Sequence, residues 1–246
     1  MNPSVLAQQL QQAVKDYLRL SFETTTPFFE GLLERFLNTD GALAKGPYLS
    51  IKLPFEKGQG NADFFSAVPM AFSPHKHQEI AFQRIGKDFK STLVATGTGS
   101  GKTECFQVPI LDYCYQHRGQ KGIKAILIYP MNALAADQAK RLAKAIADNP
   151  NLKNTVTAGI YVGDKEQHAT TNMTREHLIS DKKTLRNYPP DILLTNYKML
   201  DFLMIRAKDH TLWAGNTETT LKFLVVDELG DFRRIFYPFR IEFPCR

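Results

Sequence analysis

The sequence predicts an α/β fold, a parallel sheet with helices on both faces preceded by an N-terminal helical extension, and three observations carry that reading. Short β-branched or aliphatic runs alternate with helical stretches between residues 91 and 227. A glycine-rich segment joins the first of these runs to a helical stretch. About 125 residues on, another aliphatic run ends in two adjacent carboxylates.

Taken in order, the first forty residues predict two helices. Val5, Leu6, Leu10, Val14, Tyr17 and Leu18 recur at helical spacing, and Phe28, Phe29, Leu32, Leu33, Phe36 and Leu37 do so again. Thr26 is placed to cap the second helix with Pro27 at its first position, and Gly41 follows as a stop. Residues 45–71 carry Gly46, Pro47, Pro54, Gly58, Gly60 and Pro69 around an extended piece at 48–53, which reads as an irregular arm. The expected domains are therefore 1–72, a helical hairpin with its linker, and 73–246, the α/β layer. The strands of that layer are expected at 91–95, 124–129, 155–162, 191–195 and 223–227. Such runs, alternating with helices of about 10 to 17 residues, build βαβ units whose strands are covered on both faces.

Composition bounds the function. With 43% hydrophobic and 23% charged residues, the 246-residue chain has the make-up of a globular protein. No apolar run approaches the roughly 20 residues of a membrane-spanning helix, and Met1-Asn2-Pro3-Ser4 lacks the features of a signal peptide, so a cytoplasmic chain with no membrane partner is expected. Cys105, Cys114 and Cys245 form no CxxC pair, which supports neither a disulfide framework nor a zinc site. A net charge of +6 and a pI near 9.1 suit a polyanionic partner.

Thr96-Gly97-Thr98-Gly99-Ser100-Gly101-Lys102-Thr103 follows the apolar run Thr92-Leu93-Val94-Ala95 and precedes a helical stretch, the context of a phosphate-binding loop. Glycines let backbone N–H groups turn inward on a polyphosphate, and the helix that follows adds the positive end of its dipole. Lys102 is expected on the β- and γ-phosphates and Thr103 on Mg²⁺. The general pattern has glycine where this chain has Thr96, a position where a small β-branched residue can end the strand. Phe223-Leu224-Val225-Val226-Asp227-Glu228 reads as a buried strand ending in the partner carboxylates, Asp227 for the metal and Glu228 for the attacking water.

Further segments, in order along the chain, resemble the superfamily 2 DEAD/DEAH-box helicases. Ser73-Pro74-His75-Lys76-His77-Gln78 is similar to the Q motif, Tyr129-Pro130-Met131-Asn132-Ala133-Leu134-Ala135-Ala136-Asp137-Gln138 to motif Ia, Tyr161-Val162-Gly163-Asp164 to a glycine-containing turn, and Asp191-Ile192-Leu193-Leu194-Thr195-Asn196-Tyr197-Lys198-Met199-Leu200 to motif Ib. The wording of these segments, particularly at 129–138 and 191–200, is nearest the branch that holds the Lhr-like and MrfA-like DNA helicases. The resemblance implies a RecA-like P-loop NTPase fold and a set of roles. Gln78 reads adenine, and Thr98, Gly99, Ser100, Gly101, Lys102 and Thr103 hold ATP. Thr103 and Asp227 hold Mg²⁺, and Glu228 and Lys102 act in hydrolysis. Asn132, Gly163, Thr195 and Asn196 contact the nucleic-acid strand, expected to be DNA with RNA as the alternative.

The resemblance ends at about Leu229, where Gly230 stands in place of the usual histidine and an atypical tail begins. The expectation is a truncated first lobe, inactive as a motor without a second lobe. A separate polypeptide that supplies that lobe, making this half of a split motor, is the alternative, as is a binding module that does not turn ATP over.

Overall fold

The computed structural model describes residues 3–22, 26–44, 54–60, 64–70, 72–97, 99–163 and 169–228. The chain divides into two compact units, Met1–Pro54 and Phe55–Arg246.

In the first unit α1 runs over Pro3–Ser21 and α2 over Leu32–Asn38, with a 3-10 turn at Pro27–Phe29 between them. The second helix is shorter than its apolar spacing predicts. Gly31 at φ 69 interrupts the chain just before α2, and Thr26 makes no side-chain cap. Arg19 joins α1 to α2 through a forked pair, its Nε 2.7 Å and its Nη2 3.0 Å from the Glu34 carboxylate. The piece expected to be extended at 48–53 lies outside the described residues.

The second unit holds a four-stranded parallel sheet of β1 (Ala125–Tyr129), β2 (Ala158–Tyr161), β3 (Ile192–Asn196) and β4 (Phe223–Val226), in the order β2-β3-β1-β4. Its helices are α3 (Lys76–Phe82), α4 (Lys102–Gln116), α5 (Asn132–Asp148), α6 (Lys182–Asn187) and α7 (Tyr197–Ile205). Alternating strand residues face opposite layers. Ala125, Leu127 and Tyr129 of β1 meet Ile110, Leu111 and Cys114 of α4 and the Ala139, Leu142 and Ile146 stripe of α5. Ile126 and Ile128 face the other layer, with Leu185 of α6 and Met199 and Leu203 of α7. Helices thus cover both faces, as the α/β reading requires. No described helix is long and apolar enough to cross a membrane.

Two features depart from the sequence expectation. Residues 55–60 and 64–70 group with the second unit because they are bonded into it: Gly58 N donates to Pro74 O at 3.1 Å, Lys76 N to Glu56 O at 3.0 Å, and Phe64 and Phe65 pack on Phe82. The unit boundary therefore falls at Pro54, ahead of the expected 72. The run at 91–95 is not a strand of the sheet, and residues 91–97 make no backbone-to-backbone hydrogen bond to another described residue. A β-branched sequence supplies propensity, but a strand exists only where a neighbour completes its ladder.

At the N-terminal ends of the strands a buried ion pair ties three of them together. Lys124 is fully buried, its ammonium bonded to Asp191 and to the Gln120 carbonyl, while Asp191 also accepts from Thr157 N at 2.8 Å and Thr157 Oγ1 at 2.9 Å. Removing one member of a buried pair leaves an uncompensated charge, so Asp191→Ala should lower the unfolding free energy by about 3–5 kcal/mol in a denaturant titration. At the start of α6, Asp181 accepts from Thr184 N and Thr184 Oγ1, both at 2.7 Å, and these bonds hold its carboxyl below the ordinary aspartate value. A carboxyl whose folded value is lowered stabilises fully above its unfolded value, near pH 4, and loses that contribution as pH falls through the folded value. Asp181→Ala should therefore cost about 1 kcal/mol at neutral pH, with wild-type and variant melts converging in acid.

Candidate nucleotide and nucleic-acid site

The glycine-rich loop lies directly before α4, and its shape is set by glycine. Gly99 and Gly101 both sit at φ 77, a conformation that residues with a side chain rarely adopt. A Cβ on Gly101 would also collide with the Gln78 side-chain nitrogen. The loop is fastened from within and from below. Lys102 Nζ donates to Thr96 O at 3.0 Å, and the Thr96 and buried Ser100 hydroxyls are 2.6 Å apart. From α3, His77 Nε2 bonds the Ser100 carbonyl at 2.8 Å and Gln78 Nε2 donates to the Gly101 carbonyl at 3.1 Å. Thr103 stands half-buried in the first turn of α4, and Thr98 lies outside the described residues.

Gln78 is 1% exposed, and its Oε1 accepts from His75 N at 2.9 Å as part of the α3 cap. With both ends of its amide engaged inside the chain, Gln78 holds the loop in this structure rather than presenting a free edge to adenine. His77, its neighbour, does the same work one residue earlier. The sequence names His77 within the Q-motif segment but gives no sign of this contact, because the loop it reaches lies 23 residues away.

Asp227 and Glu228 reach the same region from β4. The parallel ladder with β1 sets Val226 opposite Ile128, and Asp227 N extends it by donating to Ile128 O at 3.1 Å. Glu228 then turns off at φ 52, its N–H donating to Asp227 Oδ1 at 3.0 Å. The nearby Tyr129 phenol is pushed up by burial and by the Asp227 charge. Lys102, Asp227 and Glu228 line one cleft of about 1000 Å³, walled by residues 89–97 on one side and 221–226 on the other. Phe223 and Asp227 direct their N–H groups to β1, so those of Leu224 and Val226 face the cleft, where β4 has no strand beside it among the described residues. Cys105, just past the loop, is fully buried, and burial raises its thiol to about 11, which leaves no reactive thiolate at neutral pH.

The four residues expected on a nucleic-acid strand lie at the C-terminal ends of β1, β2 and β3, but they do not all face outward. Thr195 is fully buried and its hydroxyl donates to Tyr161 O at 2.7 Å. Asn196 caps α7, its Oδ1 accepting from Met199 N at 2.7 Å, and its Nδ2 donates to Asn132 Oδ1 at 2.6 Å across the strand ends. Asn132 opens α5 and is half-buried. Gly163 is exposed, and a Cβ there would meet only Met199 Cε at an ordinary 3.5 Å, so packing does not demand glycine at that position. A cluster with no sequence signal adjoins them: fully buried Asp209 accepts from Tyr161 Oη at 2.9 Å and pairs with Arg186 Nε at 3.0 Å and Arg206 Nε at 2.7 Å.

The DEAD/DEAH box helicase family matches residues 75–238 of this chain, from the start of α3 through the carboxylate strand and past Leu229. The chain belongs to the DEAD/DEAH-box helicase family. Among its relatives is the Druantia protein DruE of Escherichia coli (strain UMEA 4076-1), 30% identical over a stretch covering 91% of this chain and 18% of that protein. Another is the ATP-dependent helicase Lhr-Core of Sulfolobus acidocaldarius, 25% identical over 69% of this chain and 18% of that protein. The fold is similar to the crystal structure of the DUF1998 helicase MrfA bound to DNA and AMPPNP, with a TM-score of 0.52 and 24% identity over 72% of this chain and 22% of that one. This chain therefore spans less than a quarter of the length of each of these proteins. Within this helicase loop, Gly101→Ala combines a strained backbone with a collision, and should cost about 1 kcal/mol of stability. Its larger effect is expected in a fluorescent ATP-analogue titration, where affinity should drop by at least about tenfold, the equivalent of about 1.4 kcal/mol.

Proposed function

We propose that this chain is the ATP- and nucleic-acid-binding first lobe of an ATP-dependent helicase or translocase. The observation that carries the reading is the meeting of the Lys102 loop with Asp227 and Glu228 in one cleft. The donor set fits ATP with Mg²⁺. Loop amides shaped by Gly99 and Gly101, with the Lys102 ammonium, suit the phosphates, and Lys102 would exchange its bond to Thr96 O for a phosphate oxygen. Among the described residues no group of three His, Cys, Asp or Glu side chains is gathered to hold a metal, so Mg²⁺ would come with the nucleotide and take only Thr103 and Asp227 from the protein. When bound, Mg²⁺ neutralises charge that builds on the phosphates. Glu228, fixed by its N–H bond to Asp227, would accept the proton of the attacking water.

The strand site is proposed at the N-termini of α5 and α7, with Asn132 and Gly163 beside them, and the net charge of +6 favours a polyanion there. DNA is the proposed strand, since MrfA, whose fold this chain shares, is a DNA-bound helicase. This lobe by itself would hydrolyse ATP slowly, because an arginine finger worth on the order of 10³–10⁵ in rate is proposed to come from a second lobe.

The test is a fluorescent ATP-analogue titration with Mg²⁺ beside an ATPase assay, each with and without single-stranded DNA or RNA. Binding in the wild type and at least about tenfold weaker binding in Lys102→Ala, about 1.4 kcal/mol, is expected. Loss of affinity with no strand-stimulated turnover identifies a lobe that binds without working alone. Equal nucleotide affinity in wild type and Lys102→Ala sinks the reading.

A further inference from the structure

The strand ends of this lobe carry a line of side-chain hydrogen bonds that binds no obvious ligand. Asp209 accepts from the Tyr161 hydroxyl, the Tyr161 carbonyl accepts from the Thr195 hydroxyl, and the next residue, Asn196, donates to Asn132. The line crosses the C-terminal ends of β2, β3 and β1, since Tyr161 pairs with Thr195 and Asn196 with Tyr129 in the two ladders. Its last link joins the first residue of α5, a helix of 17 residues, to the residue that caps α7, a helix of 9.

We infer that Asn196 is a positioning residue: its carboxamide fixes the N-terminus of α5 against the N-terminus of α7, so that the two present a phosphate backbone with one rigid face. The inference rests on the strand site proposed above. It departs from that site's expected chemistry, which would have Thr195 and Asn196 touch the strand themselves. Thr195 cannot reach a ligand while buried with its hydroxyl committed. The Asn196 amide is used on both sides, its oxygen by the Met199 N–H and its nitrogen by the Asn132 oxygen.

The geometry explains why asparagine is needed. A cap requires only an acceptor, which serine, threonine and aspartate also supply. The bridge requires in addition a donor on an atom apart from the capping oxygen: aspartate has none, in serine and threonine the two functions share one hydroxyl oxygen, and asparagine has them on separate atoms. Because phosphate contacts fix the register of a strand on its protein, a rigid spacing between two such helix ends sets which successive phosphates are held together. A bridge that lets the two ends drift would weaken both contacts at once.

A mutant cycle separates the roles. Asn196→Ser keeps an acceptor for Met199 N and loses the separate nitrogen that reaches Asn132; Asn132→Ala removes the other partner. Affinity of the full chain for a fluorescein-labelled single-stranded oligonucleotide is measured by anisotropy in fixed salt. If Asn196 acts through Asn132, Asn196→Ser weakens binding about fivefold to tenfold, in the range of a coupled pair, and adds nothing in the Asn132→Ala background. Multiplicative effects in the double variant would mean that each residue meets the strand independently, and wild-type affinity in Asn196→Ser would mean that the cap alone matters; either overturns the inference. A second readout needs no nucleic acid: the Ala135 amide, bonded to Met131 O at 3.1 Å in the first turn of α5, should exchange about tenfold faster in Asn196→Ser as that turn opens. Unchanged exchange there also overturns the inference. Accelerated exchange in a protein that binds neither DNA nor RNA would leave the bridge standing and defeat the strand-site reading instead.

Discussion

Everything functional in this lobe depends on the parallel register of β3, β1 and β4. Antiparallel strands would send consecutive loops to opposite ends, whereas a parallel sheet sends every strand exit to one edge. With Ile128 opposite both Thr195 and Val226, the next residues along each chain are Tyr129, Asn196 and Asp227. Asp227, whose carboxylate is proposed for the metal, and Asn196, the cap of α7, are therefore level with one another before any side chain is specified. The buried Lys124–Asp191 pair acts at the other end of the same strands, where it fixes their starts and leaves the exits free to carry chemistry.

A second dependence runs between α3 and the phosphate loop. Two adjacent residues, His77 and Gln78, each hold one loop carbonyl, and Gly101 has no room for a side chain because Gln78 lies against it. Whatever displaces α3 must therefore move the loop. The shape of the loop is tied to a single helical turn through these two carbonyl contacts.

Much of this was legible in the sequence. Local signals, such as a glycine-rich turn between an aliphatic run and a helix or an aliphatic run closed by Asp227-Glu228, depend on neighbours in the chain and survived into the structure. The strands at 124–129, 155–162, 191–195 and 223–227 were visible for the same reason, with ends that shifted by up to three residues. What escaped was set by partners remote in sequence. The run at 91–95 has strand composition and no strand beside it. Thr195 and Asn196 sit where a strand contact is expected, yet their hydrogen bonds go to Tyr161 and Asn132, 34 and 64 residues away. Asp209 looks like any surface aspartate until Arg186, Arg206 and Tyr161 close around it.

The unpaired side of β4 has a practical meaning for work at the bench. Leu224 is 55% exposed and Val226 37%, Leu93 stands across the cleft at 75%, and the outward N–H and C=O groups of the strand have no ladder partner among the described residues. Natural sheets shield such borders with charge, proline or a covering helix, since a bare apolar border recruits the backbone of whatever chain it meets. Among the described residues the exposed side chains of this border, Leu224 and Val226, are apolar and its tip at Asp227 and Glu228 is acidic, so a charge placed at Leu224 would act as a gatekeeper against self-association on concentration.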